Sequence, residues 1–99
     1  MAYQIRFHPE ALSEYSDAYN WYEQQSIGLG DKFELAVEDK LEKLVKNPEL
    51  YHFTKGIFRE CAIPSLPYVV VYSIYPNKNV IFISALHHTG RNSKTKFRV

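Results

Sequence analysis

Between Pro67 and His88 the chain reads P-Y-V-V-V-Y-S-I-Y-P-N-K-N-V-I-F-I-S-A-L-H-H. Two apolar runs rich in β-branched and aromatic residues flank Pro76-Asn77-Lys78-Asn79. That pattern predicts two strands joined by a tight turn. In the first run Tyr68, Val70, Tyr72 and Ile74 share one face, and Val69, Val71, Ser73 and Tyr75 the other. In the second, Ile81, Ile83 and Ala85 oppose Val80, Phe82, Ser84 and Leu86. Both faces are mostly apolar, so the pair belongs at the centre of a sheet covered on at least one side. The second strand runs into His87, His88 and then Arg91, and its exit is the expected place for any chemistry.

Elements of both kinds surround this pair. Tyr3, Ile5 and Phe7 alternate with Gln4 and Arg6, the mark of a short half-buried strand. His8-Pro9 opens a helix that runs to about Gln25, with Glu10 in its first turn. Its apolar stripe is Ala11, Tyr15, Ala18, Tyr19 and Tyr22, with Leu12 on the flank and Trp21 off centre. Ser26-Ile27-Gly28-Leu29-Gly30 breaks the helix. Asp31 followed by Glu34 predicts an N-cap with its capping-box partner. A second helix then runs to about Lys46 and is stopped by Asn47-Pro48. Phe33, Ala36, Val37, Leu41, Leu44 and Val45 form its stripe. From Phe53 to Ile63 the pattern is again that of a strand, with a bulge or bend at Gly56. Beyond His88 the tail has no periodicity, and disorder, a short strand or a turn all fit it. The predicted fold is α+β in two layers: a helical hairpin packed on a small, mainly antiparallel sheet, in the order β-α-α-β-β-β.

Ninety-nine residues predict a single domain, residues 1–99. Hydrophobic residues at 45% and eight tyrosines exclude a disordered chain. No apolar run approaches the ~20 residues of a membrane helix, so no membrane partner is expected. The start lacks a secretory apolar region, and Cys61 is the only cysteine. Both point to a reducing cytoplasm. Charge is unevenly placed: residues 1–60 carry seven Lys/Arg against eleven Asp/Glu, a balance of −4. Residues 61–99 carry Lys78, Arg91, Lys94, Lys96 and Arg98 with no acid, a balance of +5. This end either faces an anionic partner or is a solvated basic tail.

His87 and His88 are adjacent on a strand and point to opposite faces, so they do not ligate one ion together. His8, His52 and Cys61 add no metal-ligand spacing, and no metal is expected. Each of His87 and His88 is open to two readings: a general acid or base, or, for His87, a satisfied core-edge histidine sharing a face with Ile83 and Ala85 and, for His88, an exposed and inert strand-end residue. Arg59 and Arg91 form a second pair. If the strand carrying Arg59 pairs near the end of the last strand, both guanidiniums converge with a histidine and can bind phosphate. Otherwise Arg59 pairs with a carboxylate such as Glu60 or one from the first helix. No phosphate-binding glycine loop or nucleophile motif is present, and no cofactor is expected.

The stretch P-E-A-L-S-E-Y-S-D-A-Y-N-W-Y-E-Q-Q-S-I-G-L-G-D-K-F, continuing V-E-D-K-L-E-K-L-V-K-N-P-E-L-Y, resembles the N-terminal half of ParE-type toxins in the RelE/ParE superfamily. P-Y-V-V-V-Y-S-I and I-S-A-L-H-H-T-G-R are similar to that superfamily's later segments. The resemblance covers about residues 5–93 and is most specific in W-Y-E-x-x-S-x-G-L-G-x-x-F. It implies the toxin of a type II toxin–antitoxin pair, of the kind also called plasmid stabilisation proteins, with a cognate antitoxin as partner.

Activities divide within that superfamily. RelE-like members cut mRNA on the ribosome with a basic cluster and often a C-terminal tyrosine, where this chain has Phe97. ParE-like members resemble poisons of DNA gyrase. The long helical hairpin and the G-L-G turn favour inhibition of gyrase without chemistry by the toxin. In that reading Trp21, Tyr22, Arg91, Lys94, Lys96, Phe97 and Arg98 are the expected contacts with target or antitoxin. The alternative is an mRNA endonuclease using Arg59, Arg91, His87 and His88. A third reading is an inactive module that still binds its antitoxin.

Overall fold

The computed structural model describes residues 3–91 and 95–99. Strand β1 (Gln4–Phe7) leads into α1 (Pro9–Gln25) and α2 (Leu29–Lys46). A 3-10 turn at Pro48–Leu50 precedes β2 (Phe53–Lys55), β3 (Phe58–Ala62), β4 (Tyr68–Tyr75) and β5 (Val80–His88). The sheet order is β1-β5-β4-β3-β2. Only β1 with β5 is parallel among these pairs; the others are antiparallel. The predicted two-layer α+β architecture is therefore observed, with the β4–β5 pair inside the sheet.

The segment predicted as one strand from Phe53 to Ile63 is a hairpin instead. Gly56 has φ +56°, the left-handed conformation that reverses a chain. Phe53 pairs with Arg59 across the turn.

Helix α1 starts where the sequence places it. His8 is its N-cap and accepts the Glu10 N–H through Nδ1 at 3.0 Å. Helix α2 starts two residues before the expected cap at Asp31. Gly28, at φ +92°, is the residue before its first turn and offers no side chain. The Glu23 carboxylate of α1 replaces the missing cap, accepting the N–H groups of Gly28 at 3.1 Å and Gly30 at 2.9 Å. Asp31 instead accepts the Tyr19 hydroxyl at 2.8 Å. The hairpin angle is thus held by side chains from both helices.

Between the layers lie Phe33, Val37 and Leu44 of α2, Ala11 and Ala18 of α1, and Val70, Tyr72, Ile81, Ile83 and Leu86 of the sheet. Leu44 and Tyr72 are fully buried. The Tyr72 hydroxyl donates to the Pro48 carbonyl, so the largest polar group in this layer is satisfied.

The alternation predicted for β5 holds only to Ile83. Tyr72 pairs with Ile83 and Val71 with Ala85, leaving Ser84 as an extra residue. This bulge inverts the faces of everything beyond it. Leu86, expected on the far face, joins Ile81 and Ile83 against the helices. Ala85 and His87 turn to the other side, opposite Val71 and Val69.

That other side is partly covered by the end of the chain. Phe97 packs on Phe58 with ring centroids 5.3 Å apart, and Lys96 pairs with Glu60 at 3.1 Å. The described part of the tail, residues 95–99, is folded against the protein.

Candidate functional site

Glu14, Asp17 and Trp21 recur at helical spacing along one side of α1. That side faces the C-terminal end of β5, where the Ser84 bulge has turned Leu86 and His88 toward the helix. A cleft of about 570 Å³ separates them. Its wall is aromatic. Tyr22 stacks on Phe33 at 5.1 Å, and Tyr68 meets the edge of the same ring at 5.7 Å. Trp21 stands edge-on to Tyr22 at 5.0 Å and is 56% exposed, which makes it a rim residue with a free surface.

Both signs of charge reach the cleft. Arg91 is exposed, and its backbone N–H donates to the His88 carbonyl at 3.0 Å. Asp17 lies on the opposite wall. Burial pushes the Tyr68 hydroxyl pKa up, while the nearby Arg91 charge works against that rise. His88 packs edge-on against Tyr68 at 5.1 Å and accepts the Gly90 N–H through Nδ1 at 3.0 Å. That bond leaves Nε2 as its protonated nitrogen when neutral. The cleft can hold an apolar or aromatic side chain of a partner, with charged groups at either end to orient it.

Arg59 is not in this cleft. β4 lies between β3 and β5, and Arg59 is level with Tyr72 and Ile83 rather than with the histidines. Its guanidinium donates to the carbonyls of Glu49 at 3.1 Å and Tyr51 at 2.7 Å. It also stacks on Phe53 at 3.8 Å. The expected convergence of Arg59 with Arg91 and the histidines does not occur. Glu60 is not its partner either, being paired with Lys96.

His87 and His88 do point to opposite faces. His87 is buried beneath the tail side, where desolvation and then the Lys96 charge push its pKa down. A hydrogen bond to the Arg91 backbone opposes that shift. Cys61 is buried, and desolvation pushes its thiol pKa up, away from the reactive thiolate. Among the described residues no group of three or more His, Cys, Asp or Glu is arranged to hold a metal ion.

The expected contact residues fall into two groups. Trp21, Tyr22 and Arg91 line the cleft together. Lys96, Phe97 and Arg98 are occupied within the protein. Lys55 and Lys96 approach the Phe97 ring at 5.3 and 5.1 Å. Arg98 is paired with Glu14 and Glu10, each at 3.1 Å. Two of the five positive charges of the C-terminal part, Lys96 and Arg98, are therefore met by Glu60, Glu10 and Glu14. Lys94 lies outside the described residues. Sequence reasoning missed Asp17 and Tyr68 as cleft residues. The spacing of Asp17 and Trp21 along α1 was a usable signal; the approach of Tyr68 was not, because it comes through the sheet.

The family described as ParE toxin of type II toxin-antitoxin system, parDE, matches residues 5–93. The chain belongs to this ParE toxin family. Its fold is similar to that of E. coli RelE. The isolated RelE toxin in its P21 crystal form aligns with a TM-score of 0.67 and 20% identity, covering 94% of this chain and 89% of RelE. An arginine-to-alanine double mutant of RelE in the free state gives 0.62 and 22%, covering 87% and 82%. The same mutant in complex with an antitoxin RelBc peptide gives 0.61 and 22%, covering 84% and 79%. No curated protein matches the chain. No helix among the described residues is long and apolar enough to cross a membrane.

Proposed function

We propose that this ParE-family toxin, one domain over residues 1–99, acts in the bacterial cytoplasm by docking on DNA gyrase. It cleaves no RNA itself, and a cognate antitoxin neutralises it. The observation that carries this reading is the dispersal of the residues an endonuclease would need. Arg59 is held by main-chain carbonyls away from the cleft, and of the three candidates that line the cleft, His88 and Arg91 are accessible while His87 is buried toward the tail side. General acid–base cleavage requires groups within hydrogen-bond reach of one reacting centre. Binding needs no such convergence.

Exposed apolar groups on the helical hairpin support docking. Leu12, Trp21, Ile27 and Leu35 are each more than half exposed. Among these, an exposed Trp is the residue type most enriched among interface anchors. An antitoxin partner follows from the family, and the RelE neighbour bound to an antitoxin peptide supports it. In this reading Trp21, Tyr22 and Arg91 engage target or antitoxin directly.

The test is induction of the chain alone in a bacterial host, scoring gyrase-linked DNA breaks and cleaved ribosome-bound mRNA in the same cells. DNA breaks with intact mRNA are expected. Cut mRNA that is lost in Arg91→Ala would replace gyrase docking with RNA cleavage. Normal growth with folded protein would leave antitoxin binding as the remaining role.

A further inference from the structure

Among the described residues, the tail packs on the sheet at Phe58, Glu60 and Ser84. Toward the start of β5 the face turned away from the helices carries a groove. There Gln4, Val80 and Tyr75 form one row across three strands, and Arg6 and Phe82 pair in a row beyond. Val80 and Phe82 are half-buried, whereas Ile81 and Ile83 between and beyond them are fully buried against the helices. A groove of about 580 Å³ lies over this surface. Its floor is Val80 and Phe82, its sides are Tyr75, Arg6 and Lys78, and Gln4 and Val99 complete the lining.

The cations here differ from Lys96 and Arg98 of the tail. Lys96 and Arg98 are met by carboxylates. No Asp or Glu lines this groove, and among the described residues no carboxylate pairs with Arg6 or Lys78. The side-chain bond of Arg6 is a long one, 3.4 Å to Gln4 Oε1, so most of its donors remain open. The Gln4 N–H donates to the Asn79 carbonyl at 2.7 Å, which ties the turn carrying Lys78 to the start of β1. Two cations are thus brought by the fold to the rim of a groove that holds two aromatic rings, Phe82 on its floor and Tyr75 at its side.

We propose that this groove binds one nucleotide, its base lying over Phe82 and Tyr75 and its phosphate held by Arg6 and Lys78. An apolar ligand would leave the cations unused, and a bare anion would leave Val80 and the Phe82 and Tyr75 rings exposed to water. A base joined to a phosphate satisfies both. The volume lies within the range of small-molecule sites, roughly 300–1,000 Å³. Both a free nucleotide and one residue of a single strand carry this chemistry. The site is separate from the cleft at the other end of β5 and does not depend on which target the toxin has.

The experiment is an NMR titration of the purified protein with AMP, adenosine, inorganic phosphate, a short oligoadenylate and an oligoglutamate peptide. The amides of Gln4, Arg6, Val80 and Phe82 report on the groove. AMP or the oligoadenylate should shift them saturably, about tenfold more tightly than adenosine or phosphate. AMP binding alone identifies a free nucleotide as the source; tighter binding of the oligonucleotide identifies a single strand. Lys78→Glu and Arg6→Gln are exposed substitutions. Each should weaken binding about tenfold with the far-UV spectrum unchanged, and Arg91→Ala should not. Silent groove amides with both nucleotide probes would overturn the proposal. So would equal binding of oligoglutamate, or loss of binding through Arg91→Ala.

Discussion

The Glu14 carboxylate accepts from the Arg98 guanidinium through both oxygens, Oε1 from Nη1 and Oε2 from Nη2, each at 3.1 Å. The same Glu14 accepts the Leu86 N–H at 3.1 Å, and Arg98 also donates to the Ser84 carbonyl at 3.0 Å. One ion pair therefore joins helix, strand edge and chain end. β1 pairs with β5 only as far as Ile83, and beyond that point these side chains supply partners for the strand. Arg98→Ala should lower unfolding free energy by about 2 kcal/mol, allowing for partial solvent screening. Urea denaturation checks the value, and faster exchange of the Leu86 amide would locate the loss.

Arg59 joins the turn after α2 to β3. Arg59→Ala leaves the carbonyls of Glu49 and Tyr51 without this donor and removes the stack on Phe53. A loss of about 1.5–3 kcal/mol is expected, measured as a fall in thermal midpoint. Growth arrest per folded molecule should be unchanged. A stable Arg59→Ala protein that has lost toxicity would return Arg59 to a functional role.

Trp21 and Arg91 behave in the opposite way. Both are exposed, and neither supports the core. Trp21→Ala and Arg91→Ala should each alter stability by no more than about 0.5 kcal/mol. Trp21→Ala should weaken binding to antitoxin or gyrase by about 2 kcal/mol, as read by calorimetry, if the ring is an anchor. Unchanged affinity for both partners would remove the cleft rim from either interface.

His87 supplies a pH dependence. Its folded pKa is pushed below the ordinary 6.5 by burial and by Lys96. Below that ordinary value the unfolded chain therefore binds more protons than the folded one, and stability falls as pH falls. The Glu60 and Glu14 charges facing His87 oppose the shift without reversing it. His87→Gln should flatten the stability profile between about pH 7 and the depressed folded value. Denaturation at a series of pH values gives the slope, and an unchanged slope in the variant would assign it to another group.

Gly28, just before α2, and Gly30, in its first turn, should fail for different reasons. A Cβ on Gly28 meets nothing within 4 Å, but φ +92° penalises any L side chain. Gly28→Ala should cost about 1 kcal/mol through backbone strain. A Cβ on Gly30 would lie 2.8 Å from Glu23 Oε1 and 3.0 Å from the Tyr19 ring. Gly30→Ala should displace the carboxylate that caps α2, at a cost of about 1–2 kcal/mol. Removing the carboxylate separates them: in a Glu23→Ala background the Gly30→Ala penalty shrinks and the Gly28→Ala penalty remains. Both are read by thermal denaturation.

Local patterns in the sequence determined the elements and their layers. The β-branched and aromatic run Tyr68–Tyr75, apolar on both faces, marks a strand buried within a sheet. Pro9 and Pro48 bound the helices because proline lacks an N–H, and the stripes of α1 and α2 need a sheet to cover them. Family membership was also legible, in the run around Trp21 and Gly30. Tertiary structure alone decided what the site became. A single extra residue at Ser84 carries no local mark, yet it exchanges the faces of Ala85 and Leu86 and turns His88 toward α1. The tail residues Lys96, Phe97 and Arg98 read as free and basic because their partners Glu60, Phe58 and Glu14 are distant in the chain. Periodicity reports only on neighbours within a few residues, whereas bulges, ion pairs and clefts are settled by long-range contacts that exist only once the layers have packed.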